Sequence, residues 1–383
     1  MRNYSMHNLI WKNRGHELDL YAKKILNKNA QFILVGSQEE KDSFEKETGY
    51  ELAILENADF QDIADIERSS NVCIICLYKE RTMYDRCKKE FEEAGMKEND
   101  RFFQGEVFRM IYNVYKHEQI KIDRIEIFMT SYCTLKCEKC ISYIPFFKHR
   151  VVMPLDSLIK DIDLLFSKVD YVFKLKLLGG EGFLYPDLPT YVDYIYNNYR
   201  DRIGSIRIGT NGTIDPSEEI IKMCKRDEVI VDISDYRVTV PGLSKLEAVK
   251  EKLEDNGIVV DVKRSGEQWL DMGFPNNKPK LKGEEALREH FEKCAMFCRQ
   301  FADGKLFYCC SNCAAVKAGL YELNKLDYFD FGKDFNKKEL LEYELGFSQL
   351  GHTSFCSVCQ GGSEEANPYH VEVAKQVCTG GAI

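Results

Sequence analysis

Three cysteines stand close together in "SYCTLKCEKC" (131–140), at Cys133, Cys137 and Cys140. A C-x3-C-x2-C run leaves zinc one ligand short of its usual four unless a distant side chain completes the set. A [4Fe–4S] cube can use three thiolates differently. They hold it while one iron stays open to something exchangeable. On that reading the missing fourth cysteine is itself the functional feature.

The chain has 15 cysteines among 383 residues, a net charge of -9, 44% hydrophobic and 30% charged residues. That composition suits a globular protein of two or three packed units rather than a disordered one. The acidic balance argues against nucleic acid as a partner, since phosphate binding needs concentrated Lys and Arg. The opening "MRNYSMHNLIWKNRGHELDL" is polar, and no apolar run nears 18 residues. The expectation is a cytoplasmic protein without a membrane partner. In a reducing compartment so many thiols point to metal or redox chemistry rather than disulfides. Cys73, Cys76, Cys87 and Cys224 lie in apolar or helical stretches and read as buried or bystander thiols. The others cluster at 133/137/140, 294/298, 309/310/313 and 356/359, with Cys378 apart.

Elements must position these thiols, and two alternations supply them. Over 31 to about 110, "QFILVG", "ELAILE" and "NVCIICLY" read as buried parallel strands between polar helical stretches. The pattern predicts a small Rossmann-like α/β module over 1–117. Its first turn, "VGSQEEKD", keeps Gly36 but lacks GxGxxG, so the nucleotide signal is weak and a scaffolding or docking role is the alternative. A longer alternation follows, with strands "RIEIFMT" (124–130), "KLKLLGG" (174–180), "SIRIGTNG" (205–212), "VIVDISDY" (229–236) and "IVVDVKR" (258–264). The helix after the third strand is expected to take Asp215 as N-cap and Pro216 as N1, and the helix after the fourth to end at Gly257. Five such repeats predict a partial (β/α) barrel over 118–275 with its site at the carboxyl ends of the strands. The three cysteines, "GGEG" and "TNG" follow the first, second and third of those strands. From the linker-like "NNKPKLKGEE" (276–285) onward, a Cys-rich domain is expected over 276–383.

C-x3-C-x2-C on the loop after a first barrel strand resembles the signature of radical S-adenosylmethionine (SAM) enzymes. "GGEG" (Gly179, Gly180, Glu181, Gly182) resembles the family's GGE motif, which meets the SAM amino group. "GTNG", with Thr210 and Asn211, and the pair Ser234–Asp235 resemble the strand-end motifs that contact the ribose and carboxylate. The residue before the third cysteine is usually aromatic in the family; here it is Lys139. The resemblance implies a [4Fe–4S] cluster on Cys133, Cys137 and Cys140 whose open iron is chelated by SAM. Reductive cleavage then gives a 5′-deoxyadenosyl radical that takes hydrogen from a substrate, with a reductase such as flavodoxin or ferredoxin as electron source.

Cys294-x9-Gly304-x4-Cys309 followed by Cys356-x2-Cys359 resembles the SPASM/twitch auxiliary-cluster extensions of the superfamily. Glu365 stands where the full SPASM pattern has its next cysteine, so the shorter twitch form fits better. This implies one auxiliary [4Fe–4S] cluster on Cys294, Cys309, Cys356 and Cys359. Cys298, Cys310, Cys313 and Cys378 leave a second auxiliary cluster, or Cys298-x11-Cys310 as a competing frame, as alternatives; a zinc site from "CCSNC" and "CSVC" is a further one. The extension resembles that of the butirosin-pathway dehydrogenase group, which implies oxidation of a carbinol in a small polar molecule such as a sugar, nucleotide sugar or aminocyclitol. The alternatives are a maturase of ribosomally made peptides and a non-catalytic iron–sulfur redox or sensor protein. Lys263, Arg264, Trp269 and Asp271, after the fifth strand, are candidates to face the substrate or adenine, or are surface-loop residues. The histidines have no metal-site spacing.

Overall fold

The computed structural model describes residues 16–27, 30–48, 53–55, 72–78, 81–97, 100–264, 268–276, 283–294, 298–345 and 351–377. The chain is α/β and divides into two compact units: Met1–Ile120 with Phe335–Phe347, and Lys121–Asp334 with Ser348–Ile383.

The first unit has the parallel sheet order β2-β1-β3-β4, from β1 (Gln31–Val35), β2 (Ala53–Leu55), β3 (Val72–Cys76) and β4 (Phe102–Gln104). Helices α1 (His16–Ile25), α2 (Gln38–Thr48), α3 (Arg81–Glu93) and α4 (Gly105–His117) accompany it. The strands are near-continuous apolar runs, as expected for a sheet covered on both faces. Phe32, Phe102, Phe103 and Phe108 are buried in this core. The turn after β1 is closed by its own carboxylate. Glu40 Oε2 accepts from the Ser37 N–H at 3.0 Å, and the Glu40 N–H donates to Ser37 Oγ at 3.3 Å. This capping box places an anionic group at the helix start, where a phosphate would otherwise bind.

A helix from far downstream, α11 (Lys337–Glu344), belongs to this unit and packs on α4. Its Lys338 Nζ lies 4.1 Å from the centroid of the Tyr115 ring and 3.6 Å from Asp19 Oδ1. Leu340 and Leu341 are fully buried. A chain beginning at residue 118 will therefore expose the apolar face of α11. It should elute as aggregate in size-exclusion chromatography, and removing 337–344 as well should restore a discrete species.

The second unit is built on an eight-stranded mixed sheet. Strands β5 (Lys121–Phe128), β6 (Tyr171–Leu178), β7 (Ile203–Thr210), β8 (Ile230–Asp235) and β9 (Val260–Arg264) run parallel in sequence order. Between them run α5 (Leu155–Lys168), α6 (Leu188–Tyr199), α7 (Glu218–Arg226) and α8 (Leu246–Asp255). The expected ending of α8 is found, with Gly257 at φ +75 just past the helix. The start of α7 differs from expectation. Ser217 is its N-cap, accepting from the Ile220 N–H at 3.3 Å, while Asp215 is held by Lys252 Nζ at 2.8 Å. The hydroxyl two residues downstream takes the cap because Lys252 Nζ engages both the Asp215 carboxylate and the Pro216 carbonyl.

The sheet continues on the other side of β5. β11 (Arg299–Ala302) pairs with it in parallel, and β12 (Lys305–Phe307) and β13 (Tyr328–Asp330) extend it antiparallel. Asp303 (φ 52) and Gly304 (φ 70) form the β11–β12 turn in left-handed conformations, which explains the glycine in the Cys-rich frame. Asp161 of α5 accepts from both of their N–H groups at 2.8 Å. A separate two-stranded ribbon joins β10 (Gln268–Leu270) to β14 (His370–Glu372), and helix α9 (Glu284–Lys293) lies between β10 and β11 in the chain. Among the described residues no helix is long and apolar enough to cross a membrane.

Candidate functional site

The carboxyl ends of β5 to β8 open onto a cavity of about 510 Å³, within the range of small-molecule sites. Cys133, Cys137 and Cys140 line it, with Gly179, Gly180, Thr210, Asn211 and Ser234. Glu181, Gly182 and Asp235 lie beside it and serve their neighbours. Asp235 pairs with Arg237 Nη2 at 2.7 Å.

The glycines answer to close packing between loops. A Cβ on Gly179 would lie 2.4 Å from the Thr130 carbonyl, and one on Gly180 would lie 2.4 Å from that of Tyr132 and 2.8 Å from the Cys133 Cβ. Gly180 N–H donates to Thr130 O at 2.7 Å and Glu181 N–H to Tyr132 O at 2.8 Å, so this loop lies against the cysteine loop. Glu181 is fully buried. Its Oε2 accepts from the Asn211 N–H at 2.8 Å and its Oε1 from the Phe183 N–H at 3.1 Å. The carboxylate thus splints the loop after β6 to the loop after β7. Asn211 passes this on to the cysteine loop, donating through Nδ2 to Thr134 Oγ1 at 3.0 Å and to Cys133 Sγ at 3.5 Å.

A segment not singled out by sequence braces the same loop. Lys136 N–H donates to Gln376 Oε1 at 2.7 Å, Val377 N–H to Lys136 O at 2.8 Å, and Glu138 N–H to Lys375 O at 2.7 Å. Gln376 Nε2 donates to Cys137 Sγ at 3.4 Å. Leu135, Val373 and Ala374 bury this contact. Each of the three sulfurs thus has donors: Leu135 N–H and Asn211 for Cys133, Gln376 for Cys137, and the N–H groups of Ser142, Tyr143 and Ile144 for Cys140. Burial nevertheless pushes the Cys133 thiol up to about 11 and Cys137 to about 12. Buried thiols supplied with donors but lacking a counter-charge are suited to a cationic metal core.

Lys139, where an aromatic residue was expected by resemblance, forms a 2.9 Å ion pair with Asp271 at the cavity wall. Trp269 also lines the cavity and meets Tyr236 edge-on at 5.7 Å. Lys263 turns away to Asp261, and the Arg264 side chain lies outside the described residues. Deeper in the cavity are Lys176 and Asp232, 3.1 Å apart. Burial acts to raise the Asp232 carboxyl, but Arg207 and Lys176 outweigh it and hold it below 3.8. A depressed carboxyl contributes stability above its unfolded value, and that stability is lost as pH falls through the depressed value. Asp232→Asn should therefore lower stability at pH 7 and flatten the acid limb below about pH 4, read by thermal melts across pH.

A second, smaller cavity is lined by Cys294, Cys309, Cys356 and Cys359, the four thiols expected to act together. Each sulfur again has a hydrogen-bond partner. Gly362 N–H donates to Cys294 and Gly361 N–H to Cys359, both at 3.3 Å; Thr353 Oγ1 lies 3.3 Å from Cys356, and Asn312 N–H serves Cys309. Burial and the neighbouring thiols push Cys356 up to about 12 and Cys309 well above its ordinary value. Two thiolates bound to one zinc at about 2.3 Å cannot be more than about 4.6 Å apart. Among the described residues, the group of three ligands whose donor atoms all lie within 4.8 Å is Glu126, Cys298 and Cys310. Neither the 133/137/140 set nor the 294/309/356/359 set is that compact, so both fit a [4Fe–4S] cluster better than a single ion. Cys313 is buried with Ala302 and Phe307, and Cys378 lies outside the described residues. Met272 and Gly362 line both cavities and form the wall between them.

No protein-family model matches the chain. A curated relative, a probable GTP 3′,8-cyclase of Methanococcus maripaludis, is 28% identical over 184 residues, which cover 48% of this chain and 56% of that protein. The match thus spans little more than half the relative's length. Among solved structures, BtrN in complex with AdoMet and 2-DOIA aligns with a TM-score of 0.43 and 16% identity, over 65% of this chain and 98% of that one. Native anSMEcpe with bound AdoMet aligns at 0.39 and 13% identity, over 63% and 89%. Streptococcus suis SuiB bound to the precursor peptide SuiA aligns at 0.31 and 15% identity, over 46% and 39%.

Proposed function

We propose that this protein is a radical SAM enzyme with one auxiliary [4Fe–4S] cluster, acting on a small polar substrate and oxidising a carbinol. Cys133, Cys137 and Cys140 hold the first cluster, and Cys294, Cys309, Cys356 and Cys359 hold the auxiliary one. When bound, the first cluster supplies the electron that splits SAM and so starts hydrogen abstraction. The observation that carries the reading is the shared wall: Met272 and Gly362 separate a substrate-sized cavity, lined by three thiols, from a cavity lined by four. Full protein ligation at the second site suits an electron acceptor, because no iron is left open.

The chain's own residues do the remaining work. Gly179 and Gly180 present backbone at the cavity wall, where the SAM amino group would dock. Thr210, Asn211 and Ser234 offer polar groups to the ribose and carboxylate. Lys176 and Asp232 give the floor paired charges that favour a hydroxyl-rich ligand over an apolar one, and Trp269 supplies a flat wall for a ring. The relative named as a probable GTP 3′,8-cyclase supports including nucleotides and nucleotide sugars among the candidates. In this reading the second unit is a partial barrel carrying a twitch-type extension, and the first a Rossmann-like module that scaffolds or docks. A flavodoxin- or ferredoxin-type reductase supplies the electron.

The test is anaerobic reconstitution with reductant and SAM, followed by a screen of deuterated sugars, nucleotide sugars, aminocyclitols and peptides. Deuterium appearing in 5′-deoxyadenosine with a polyol supports the proposal. Transfer from a peptide alone would replace the substrate class with peptide maturation. A reconstituted protein that forms no 5′-deoxyadenosine would overturn the reading altogether.

A further inference from the structure

Among the described residues, one compact donor group lies outside both cysteine cavities. Glu126 on β5, Cys298 just before β11, and Cys310 at the start of α10 (Cys310–Lys317) place a carboxylate oxygen and two sulfurs within 4.8 Å of one another. Sheet register makes this meeting specific. Gln300 pairs with Glu126 across the parallel β11–β5 ladder, so their side chains share one face, and Cys298 falls on that face two residues earlier. The Cys298 and Cys310 thiols are in hydrogen-bond contact. Glu126 is 4% exposed and Gln300 2%, and the Gln300 Oε1 is buried without a hydrogen-bond partner.

We propose that Glu126, Cys298 and Cys310 bind one thiophilic divalent cation of the zinc type, separate from both iron–sulfur sites, with the Gln300 carbonyl oxygen as fourth donor. Two thiolates and a carboxylate match the mixed sulfur–oxygen sets that zinc accepts, and their spacing suits bonds of about 2.0–2.3 Å. Charge also closes. The three anionic donors exceed a divalent cation by one negative charge, and Arg124, ion-paired to Glu126, supplies one positive charge. A buried site that is neutral as a whole avoids the cost of an isolated charge. The cation would join the strand leading into the Cys133 loop to the helix that begins directly after Cys309. Its role is to pin those two elements.

The probe is Zn2+ alone, added in slight excess to the full-length, iron-loaded protein and followed by gel filtration. About one zinc per chain should remain, with a zinc-edge X-ray absorption spectrum fitting two sulfurs near 2.3 Å and one or two oxygens near 2.0–2.2 Å. The double variant C298S/C310S should lose at least nine-tenths of the zinc while its iron content stays unchanged. Glu126→Gln should weaken retention in the same direction, and serves if the double variant does not fold. A wild-type protein that retains no zinc overturns the site, as does zinc retained undiminished in folded variants. A shell of four sulfurs would place the ion at the Cys294 set and equally overturn it. Zinc content and shell are read on the iron-loaded protein independently of SAM cleavage, so a protein that holds this zinc but forms no 5′-deoxyadenosine fails the proposed enzyme function alone.

Discussion

Replacing Cys133, Cys137 and Cys140 together with Ala is expected to reduce 5′-deoxyadenosine formation below detection and to lower iron from about 8 to about 4 per chain, since each [4Fe–4S] unit needs its own ligand set. The remaining iron should give an EPR signal after reduction that does not respond to SAM. The reason lies in the second cavity, whose four lining thiols supply one ligand for each iron of a cube. That leaves no iron position for SAM to chelate. Changing Cys356 and Cys359 in this background should remove the signal, while changing Cys313, which is packed in an apolar cluster, should leave it. A SAM-responsive signal would mean that the second cluster has an open iron and binds substrate or cofactor instead of accepting an electron. About 8 Fe in the triple variant would establish two auxiliary clusters.

Glu181→Ala should be the most damaging single change that removes no thiol. It strands two buried N–H groups, those of Asn211 and Phe183, that now donate to the carboxylate at 2.8 and 3.1 Å. Hydrogen bonds to a charged acceptor contribute about 1.5–3 kcal/mol each, so a loss of roughly 3–6 kcal/mol is expected. For a unit of this size that is a fall of roughly 6–24 °C in melting temperature, at about 2–4 °C per kcal/mol. Glu181→Gln keeps one acceptor oxygen but turns an NH2 toward the other donor, and should fall between the two. If Glu181 instead acted mainly by touching SAM from the cavity, the Ala variant would keep its melting temperature and lose only SAM binding, measured by equilibrium dialysis.

The strands and the cysteine loop were legible because buried parallel strands are unbroken apolar runs, and because the residues at their ends are thiols and glycines with few other uses. The motif glycines were also visible, but what fills the space of their missing side chains was not. The Tyr132 carbonyl stands 2.4 Å from where a Gly180 Cβ would be. Glu181 read as a cofactor contact, and only the fold shows it bridging two loops. What sequence hid depends on distant pairing. β11 and β12 are four and three residues long, too short for a periodicity, and their place beside β5 brings Glu126 to Cys298. Helix α11 has an apolar face like any other, and nothing local says that it packs with residues more than 200 positions earlier. The α7 cap was misplaced because Asp215-Pro216 is a good helix start in isolation, and the choice fell to Ser217 once Lys252 held Asp215.

The brace formed by residues 373–377 has a consequence for timing. Lys136 and its partner Gln376 are 240 positions apart, a distance that takes a ribosome roughly 10–50 s to cover at about 5–20 residues per second. Throughout that interval the nascent loop carries Cys133, Cys137 and Cys140 without the strap that buries Leu135 and supplies a donor to Cys137. Iron delivered during synthesis would meet an unformed loop, and iron delivered afterwards a finished one. If the proposed cluster sits on this loop, its finished binding geometry therefore exists only after the last residues of the strap have been made.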